Sequence, residues 1–401
     1  MTRMLTFPLL LGVCFSSWSP APADEPAQVT QSAAVPNAAG VYWIAFAAMP
    51  GLEDAERRAV EDASASVREP LSQDIAAILS RYQTALHELQ RARRIVPCDW
   101  QLDDSAGPQL IMSHLQKARD LSRVGVLRAR QRFASGDTEG ALADLLAIFK
   151  LARDCAASTY VISLLVDASI EERAAETLTL HLPALTAAQL DAVTAELSRL
   201  RLPPSAGQLI VAEGAMFGQW LENAVNREAE KRRGNEAGGE ILNAVLNELS
   251  IELQAPPTEA DRARRAELLK SVTLADVRKA VQQLNADHQE LARISALPAP
   301  ERVAPLAELA SALDAARQLT APADIQRCFS ALLLPQELNL VRRIELIHIR
   351  RELLLQALRV QRQGPDSVEP IAGHGVEYRK TENGFELICS CGEIVKIAVG
   401  Q

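Results

Sequence analysis

Two cysteines one residue apart, Cys389-Ser390-Cys391, are the sharpest chemical feature of this chain. Side chains on a β-strand repeat every two residues, so both sulfurs would leave the same face. With His374 close in sequence, such a set suits a soft metal ion or thiol exchange. The plainer expectation is a pair of half-buried strand cysteines, one of them open to oxidation with Cys328. No Cys-x-x-Cys or His-Glu-x-x-His accompanies them, and His87, His114, His181, His288, His348 and His374 are scattered. Gly-x-Ser-x-Gly, Ser-x-x-Lys and phosphate-loop patterns are absent as well. Acid–base hydrolysis needs only two carboxylates, so 51 acidic residues leave a hydrolase open, although 4% aromatic residues supply no sugar platform. Arg119, Arg123 and Arg130 fall near one helical face, where they can hold an anion or form a salt-bridged, solvated face. Trp43 and Trp100 read as core anchors before ligand stackers. Asp99, between Cys98 and Trp100, suits a hydrogen bond to a neighbouring amide.

The compartment follows from residues 1–23. Arg3, a mainly apolar run from Leu5 to Phe15, and Ala21-Pro22-Ala23 have the order of a secretory signal peptide cleaved after Ala23. The expected location is therefore periplasmic or secreted. Val13 occupies the place where lipid attachment at Cys14 wants a small residue, which favours cleavage at Ala23. Cleavage removes one charged residue, Arg3, and takes the net charge from −9 to −10. Such a balance argues against nucleic-acid phosphates or an anionic membrane surface as partners. No second apolar run reaches the ~18 residues that span a bilayer, so no transmembrane segment is expected after cleavage. Five cysteines then remain, an odd number for an oxidising compartment. Cys98 and Cys155 flank one helical block and are the candidates for a disulfide.

The elements that must position these residues are helices. Residues 24–36 are rich in Ala and Pro and read as a flexible leader. Asn37 caps a helix over 38–48, a second begins near Glu53, and Ile75, Ile78, Leu79, Tyr82, Leu86 and Leu89 stripe one long helix over 74–95. Helices follow over 110–133, 141–155 and 161–180, with Gly136-Asp137 ending one and capping the next. Thr186 and Gln189 form a capping box, as do Thr258 with Asp261 and Thr273 with Asp276. Residues 208–233 read as a long helix leading into a Gly-rich linker at 234–239. Pro298, Pro300 and Pro305 mark a junction before helices over 324–334 and 337–361. Three short β-prone runs, 376–378, 385–389 and 394–399, end the chain, with Glu382-Asn383-Gly384 as a hairpin turn between the first two. The expected organisation is an N-terminal helical domain at 37–233, a C-terminal helical region at 240–362 and a small β tail at 363–401.

In that order along the chain, Asn37-Ala38-Ala39 with Tyr42-Trp43, Cys98-Asp99-Trp100, Arg119-Asp120-Leu121 and Gly136-Asp137 with Ala141 and Leu145 resemble an uncharacterised family of exported bacterial proteins of planctomycete type. The resemblance covers residues 37–200, with a looser match of Asp366, Gly373, Tyr378 and Gly384-Phe385-Glu386-Leu387 in the tail. It implies an exported helical protein and no particular reaction. Gly136-Asp137 followed by Ala141 also resembles half of a tetratricopeptide repeat, without a second copy 34 residues away. The fold expected is all-α: stacked antiparallel helix pairs, as an irregular tetratricopeptide-like array or a bundle, with a C-terminal β-hairpin or three-stranded sheet. The function expected is a non-enzymatic scaffold with a protein partner in the cell envelope and no cofactor. The alternatives are a secreted hydrolase, or a metal or thiol-redox protein using Cys389 and Cys391 with His374.

Overall fold

The computed structural model describes residues 36–158, 160–232, 237–249, 258–317, 319, 321–372, 374–391 and 394–400. The signal-peptide reading and nearly all of the leader lie outside the described residues. Among these residues the fold is all-α with a small C-terminal sheet. The first half contains α1 (Ala38–Ala47), α2 (Asp54–Ala65), α3 (Gln73–Arg81), α4 (Gln83–Ala92), α5 (Ser113–Ala134), α6 (Thr138–Cys155), α7 (Val161–His181) and α8 (Ala187–Arg199). The second contains α9 (Ala206–Arg232), α10 (Gly238–Glu248), α11 (Glu259–Ser271), α12 (Leu274–Ser295), α13 (Ala299–Ala316), α14 (Pro322–Gln326) and α15 (Cys328–Gln363). Strands β1 (Val376–Lys380), β2 (Phe385–Ser390) and β3 (Ile394–Val399) close the chain.

Local chemistry sets most of these boundaries. The Ala39 amide donates to Asn37 Oδ1 at 3.1 Å, and Gly140 to Asp137 Oδ1 at 3.0 Å. Between α5 and α6, Gly136 takes φ +83, a backbone conformation that favours glycine. The capping boxes at Thr186 and Thr273 form as expected, and Thr258 accepts from the Asp261 amide. Four expectations change. The long helix over 74–95 is broken at Tyr82, whose ring is buried and whose hydroxyl donates to the Pro50 carbonyl at 3.3 Å. The proline-marked junction is a helix, α13, because Pro298 and Pro300 fall at its start, where a missing amide costs nothing, and the helix absorbs Pro305. The two final helices are one, α15, which continues through Pro335 because Leu334, Leu340 and Val341 are buried on either side of it. Gly238 and Gly239, read from sequence as the end of a linker, are buried in the first turn of α10. A Cβ there would meet the Val272 and Leu269 carbonyls at 2.4 and 2.0 Å.

The apolar faces form two large clusters. One joins α1 to α8, the C-terminal half of α15 and the sheet; the other joins α9, α10 and α12 with the start of α15. Leu340, Ile344 and Ile347 of α15 pack between them with Leu164 and Leu209. Helix α15 thus runs through both cores, which an array of independent pairs would not require. The helix pairs α5–α6 and α6–α7 are neighbours in sequence, whereas α9 lies along α12. Antiparallel pairing of β1 with β2 and β2 with β3 places Phe385, Leu387, Cys389, Val395, Ile397 and Val399 on the face that meets the helices.

Candidate functional site

Helices α7 and α15, the edge of β3 and the turn after α2 enclose an open groove of about 570 Å³. Ala168, Ala175, Ile347, Leu354 and Phe149 give it an apolar floor. Glu171, Glu172 and Glu176 of α7, Arg350 and Arg351 of α15, and Arg68 and Lys396 supply its charge.

A buried ionic cluster anchors one wall. Arg153 of α6 donates to Asp167 Oδ2 at 2.8 Å and also to Glu171 Oε2; the Arg153 and Asp167 side chains are about 1% and 0% exposed. Burial, and next the Glu171 carboxylate beside it, push Asp167 well above the usual carboxylate range. Burial raises Glu171 too, against the pull of Arg153 and Arg351. Arg351 donates to the carbonyls of Leu197 and Leu200, each at 3.2 Å, and so ties α15 to the end of α8. Farther out, Arg350 holds Glu172 at 2.9 Å. Glu176 stands on the rim, its pKa raised first by partial burial and then by Glu172. Burying charges costs several kcal/mol per ion unless they are paired, which explains why every buried carboxylate here has a guanidinium beside it.

Asn37, Tyr42, Trp43 and residues 98–100, which carry part of the resemblance, gather elsewhere. Asn37 Oδ1 accepts from the Asp99 amide at 2.9 Å, and Asn37 Nδ2 donates to the Asp99 carbonyl at 2.8 Å. These bonds lay the 97–101 loop against the start of α1. Trp100 stacks on Tyr42, Phe46 and His114 with centroid separations of 5.7, 6.3 and 4.3 Å, and its indole donates to the Asp154 carbonyl at 2.7 Å. The Tyr42 hydroxyl donates to Asp154 Oδ2 at 2.8 Å, beside Lys150. Burial pushes Tyr42 far up and His114 down to about 4. The nest is a core anchor, as the sequence suggested for Trp100, while Trp43 is half exposed on its rim. The Gln101 amide donates to Asp99 Oδ1 at 2.9 Å, the local role expected of Asp99.

Cys98 and Cys155 are free thiols flanking Asp154, both raised first by burial. Cys389 on β2 and Cys391 just past its end lie on one side, and their sulfurs are in hydrogen-bonding contact. That side is the core side, which accounts for the buried Cys389. His374 instead bridges Ile371, and among the described residues no three His, Cys, Asp or Glu side chains are placed to hold a metal ion. The set His374, Cys389 and Cys391 is therefore not assembled. Cys328 is buried on α15, its thiol pushed up to about 12 by burial. Arg123 pairs with Asp120, whereas Arg130 turns inward to the carbonyls of Ala63 and Glu69, so these two do not share an anion site. Sequence reasoning missed the groove cluster. Its one local signal was Asp167, a charge midway between Leu164 and Ile170 on the buried stripe of α7. No family model, curated protein or solved structure matches this chain.

Proposed function

We propose that this chain is an exported, non-enzymatic interaction protein, and that the groove between α7, α15 and β3 is where its protein partner binds. One observation carries the reading: Glu171 in the groove wall is held by Arg153 and Glu172 farther out by Arg350, so among the described residues these carboxylates leave no free pair flanking an open reacting position. What the groove offers instead is an apolar floor with charges at its rim, the composition of a recognition surface. No helix among the described residues is long and apolar enough to cross a membrane.

The hydrolase reading draws on Glu171 and Glu176, which both line the groove and both have raised pKa values. Capture of the tagged protein from its native cell envelope, beside Ala175→Trp, separates the two. Ala175 lines the groove, and an indole there fills it. A stoichiometric partner retained by the wild type and lost with Ala175→Trp is the result expected. Thermal melting verifies that the variant is folded, and Ile394→Glu replaces it if it is not. Turnover of a peptide, ester or glycoside that disappears with Glu171→Gln would overturn the proposal.

A further inference from the structure

Five consecutive residues of β3, Ile394–Ala398, line the groove. Consecutive residues share a wall only where a strand is met edge-on, since side chains alternate between faces. β3 is last in the order β1-β2-β3, so among the described residues this edge has no partner strand. Its outward groups follow from the end of the strand. The Val399 carbonyl points back toward β2, close enough that a Cβ on Gly384 would lie 2.0 Å from it. The Gly400 amide lies in the same peptide plane and points the opposite way, donating to the Thr179 carbonyl of α7 at 3.2 Å. Stepping back by two, the amides and carbonyls of Ala398 and Lys396 face that same side. Among the described residues, no other backbone hydrogen bond is made along this edge. Native edges are usually covered or blunted; this one shares its groove with side chains of α7 and α15.

We propose that the groove receives an extended polypeptide segment that adds to β3 as a fourth strand, with one lysine or arginine of the segment paired to Glu176. The inference rests on the groove being a binding site. Main-chain hydrogen bonds supply affinity in this mode, and side-chain pockets supply selectivity. The edge from Ile394 to Ala398 spans about 13 Å, the reach of a five-residue strand. The charge pattern selects the segment. Arg153 and Arg350 take Glu171 and Glu172, and Glu386 takes Lys396 at 2.9 Å. Glu176 has no ion pair among the described residues and stands one turn from Thr179, at the Ala398 end of the edge. Arg68, on the turn after α2, would repel further positive charge, so the segment carries one basic residue and not a run of them.

The test is fluorescence anisotropy of the whole protein with labelled, amidated hexapeptides of alternating valine and threonine, one position carrying lysine. Binding is expected to weaken at least tenfold when alternate peptide amides are N-methylated, and at least fivefold with Glu176→Gln or with glutamine in place of the peptide's lysine. Ala398→Pro removes an outward amide without touching the bonds to β2, and is expected to act like N-methylation. The N-methylated peptides need no variant to fold. Peptides that bind equally well with N-methylation would overturn the added strand, and an unchanged affinity with Glu176→Gln would overturn the basic-residue assignment. No peptide binding, with partner capture still lost in Ala175→Trp, would overturn the inference and leave the groove as the binding site. Unchanged capture by a folded Ala175→Trp would remove the groove itself.

Discussion

The aromatic nest around Trp100 and the groove beside β3 are both built from the end of α6, and they differ in what their polar groups face. Consecutive residues go separate ways: Arg153 reaches Asp167 and Glu171 in the groove wall, whereas Asp154 reaches Tyr42 and Lys150 in the nest. In the nest, the Asn37 and Trp100 polar atoms bond backbone. Asn37 pins the 97–101 loop, and the Trp100 indole pins the end of α6. In the groove, charge is paired inside but left open at the rim, and a strand edge lies bare beside it. A region dense in recognisable residues can be architecture, while the accessible surface is assembled from residues that look ordinary in sequence.

The largest expected effect strikes the groove side. Arg153→Met leaves Asp167 and Glu171 buried without their shared guanidinium, and is expected to cost about 3–5 kcal/mol in urea unfolding at pH 7. Adding Asp167→Asn should recover part of the loss. The sign with pH is fixed: a carboxyl with a raised folded pKa contributes stability below its ordinary pKa and loses it as pH rises through the raised value. The Arg153→Met deficit should therefore shrink toward pH 5, as the orphaned carboxylates take up protons. A deficit that stays below 1 kcal/mol at pH 7 would mean the cluster is hydrated and the contrast with the nest is false.

On the nest side, the next effect is an acid one. Burial holds His114 at about 4 against an ordinary value near 6.5, so the unfolded chain binds a proton before the folded one does. Its contribution is present above pH 6.5 and lost as pH falls toward 4, amounting to about 3 kcal/mol. Its Nε2 is buried without a partner, and its ring stacks on Trp100. His114→Phe keeps the stack and removes the proton site, so stability from pH 6.5 down to 4 should decline less steeply by that amount. Parallel wild-type and variant profiles would show that the ring is not shielded from water.

Much of the fold was legible because its signals are local. Asn37, Asp137, Thr186 and Thr273 cap helices within three residues of themselves, and Glu382-Asn383-Gly384 turns between β1 and β2. Pro305 and Pro335 misled for the opposite reason: tertiary burial around α13 and α15 outweighed a local helix-breaking preference. The Cys389–Cys391 face was readable from strand period, but its direction toward the core was not, because that depends on α15 lying across the sheet. The groove depends on α7 meeting β3 from the far end of the chain, and nothing in either segment announces the other.

The smallest effect bears most directly on whether nest and groove are independent. Tyr42→Phe removes one hydrogen bond to Asp154, which keeps Lys150, so about 1.5 kcal/mol should be lost. Neighbouring residues of a helix point about 100° apart, so Arg153 and Asp154 sit on one backbone but answer to different surroundings. If the two regions are energetically separate, Tyr42→Phe with Arg153→Met should cost the sum of the single changes within about 0.5 kcal/mol. A coupling above 1 kcal/mol would mean that the end of α6 moves as a unit and carries strain from one region to the other. The nest would then set the shape of the groove, and its aromatic residues would matter for binding without touching what is bound.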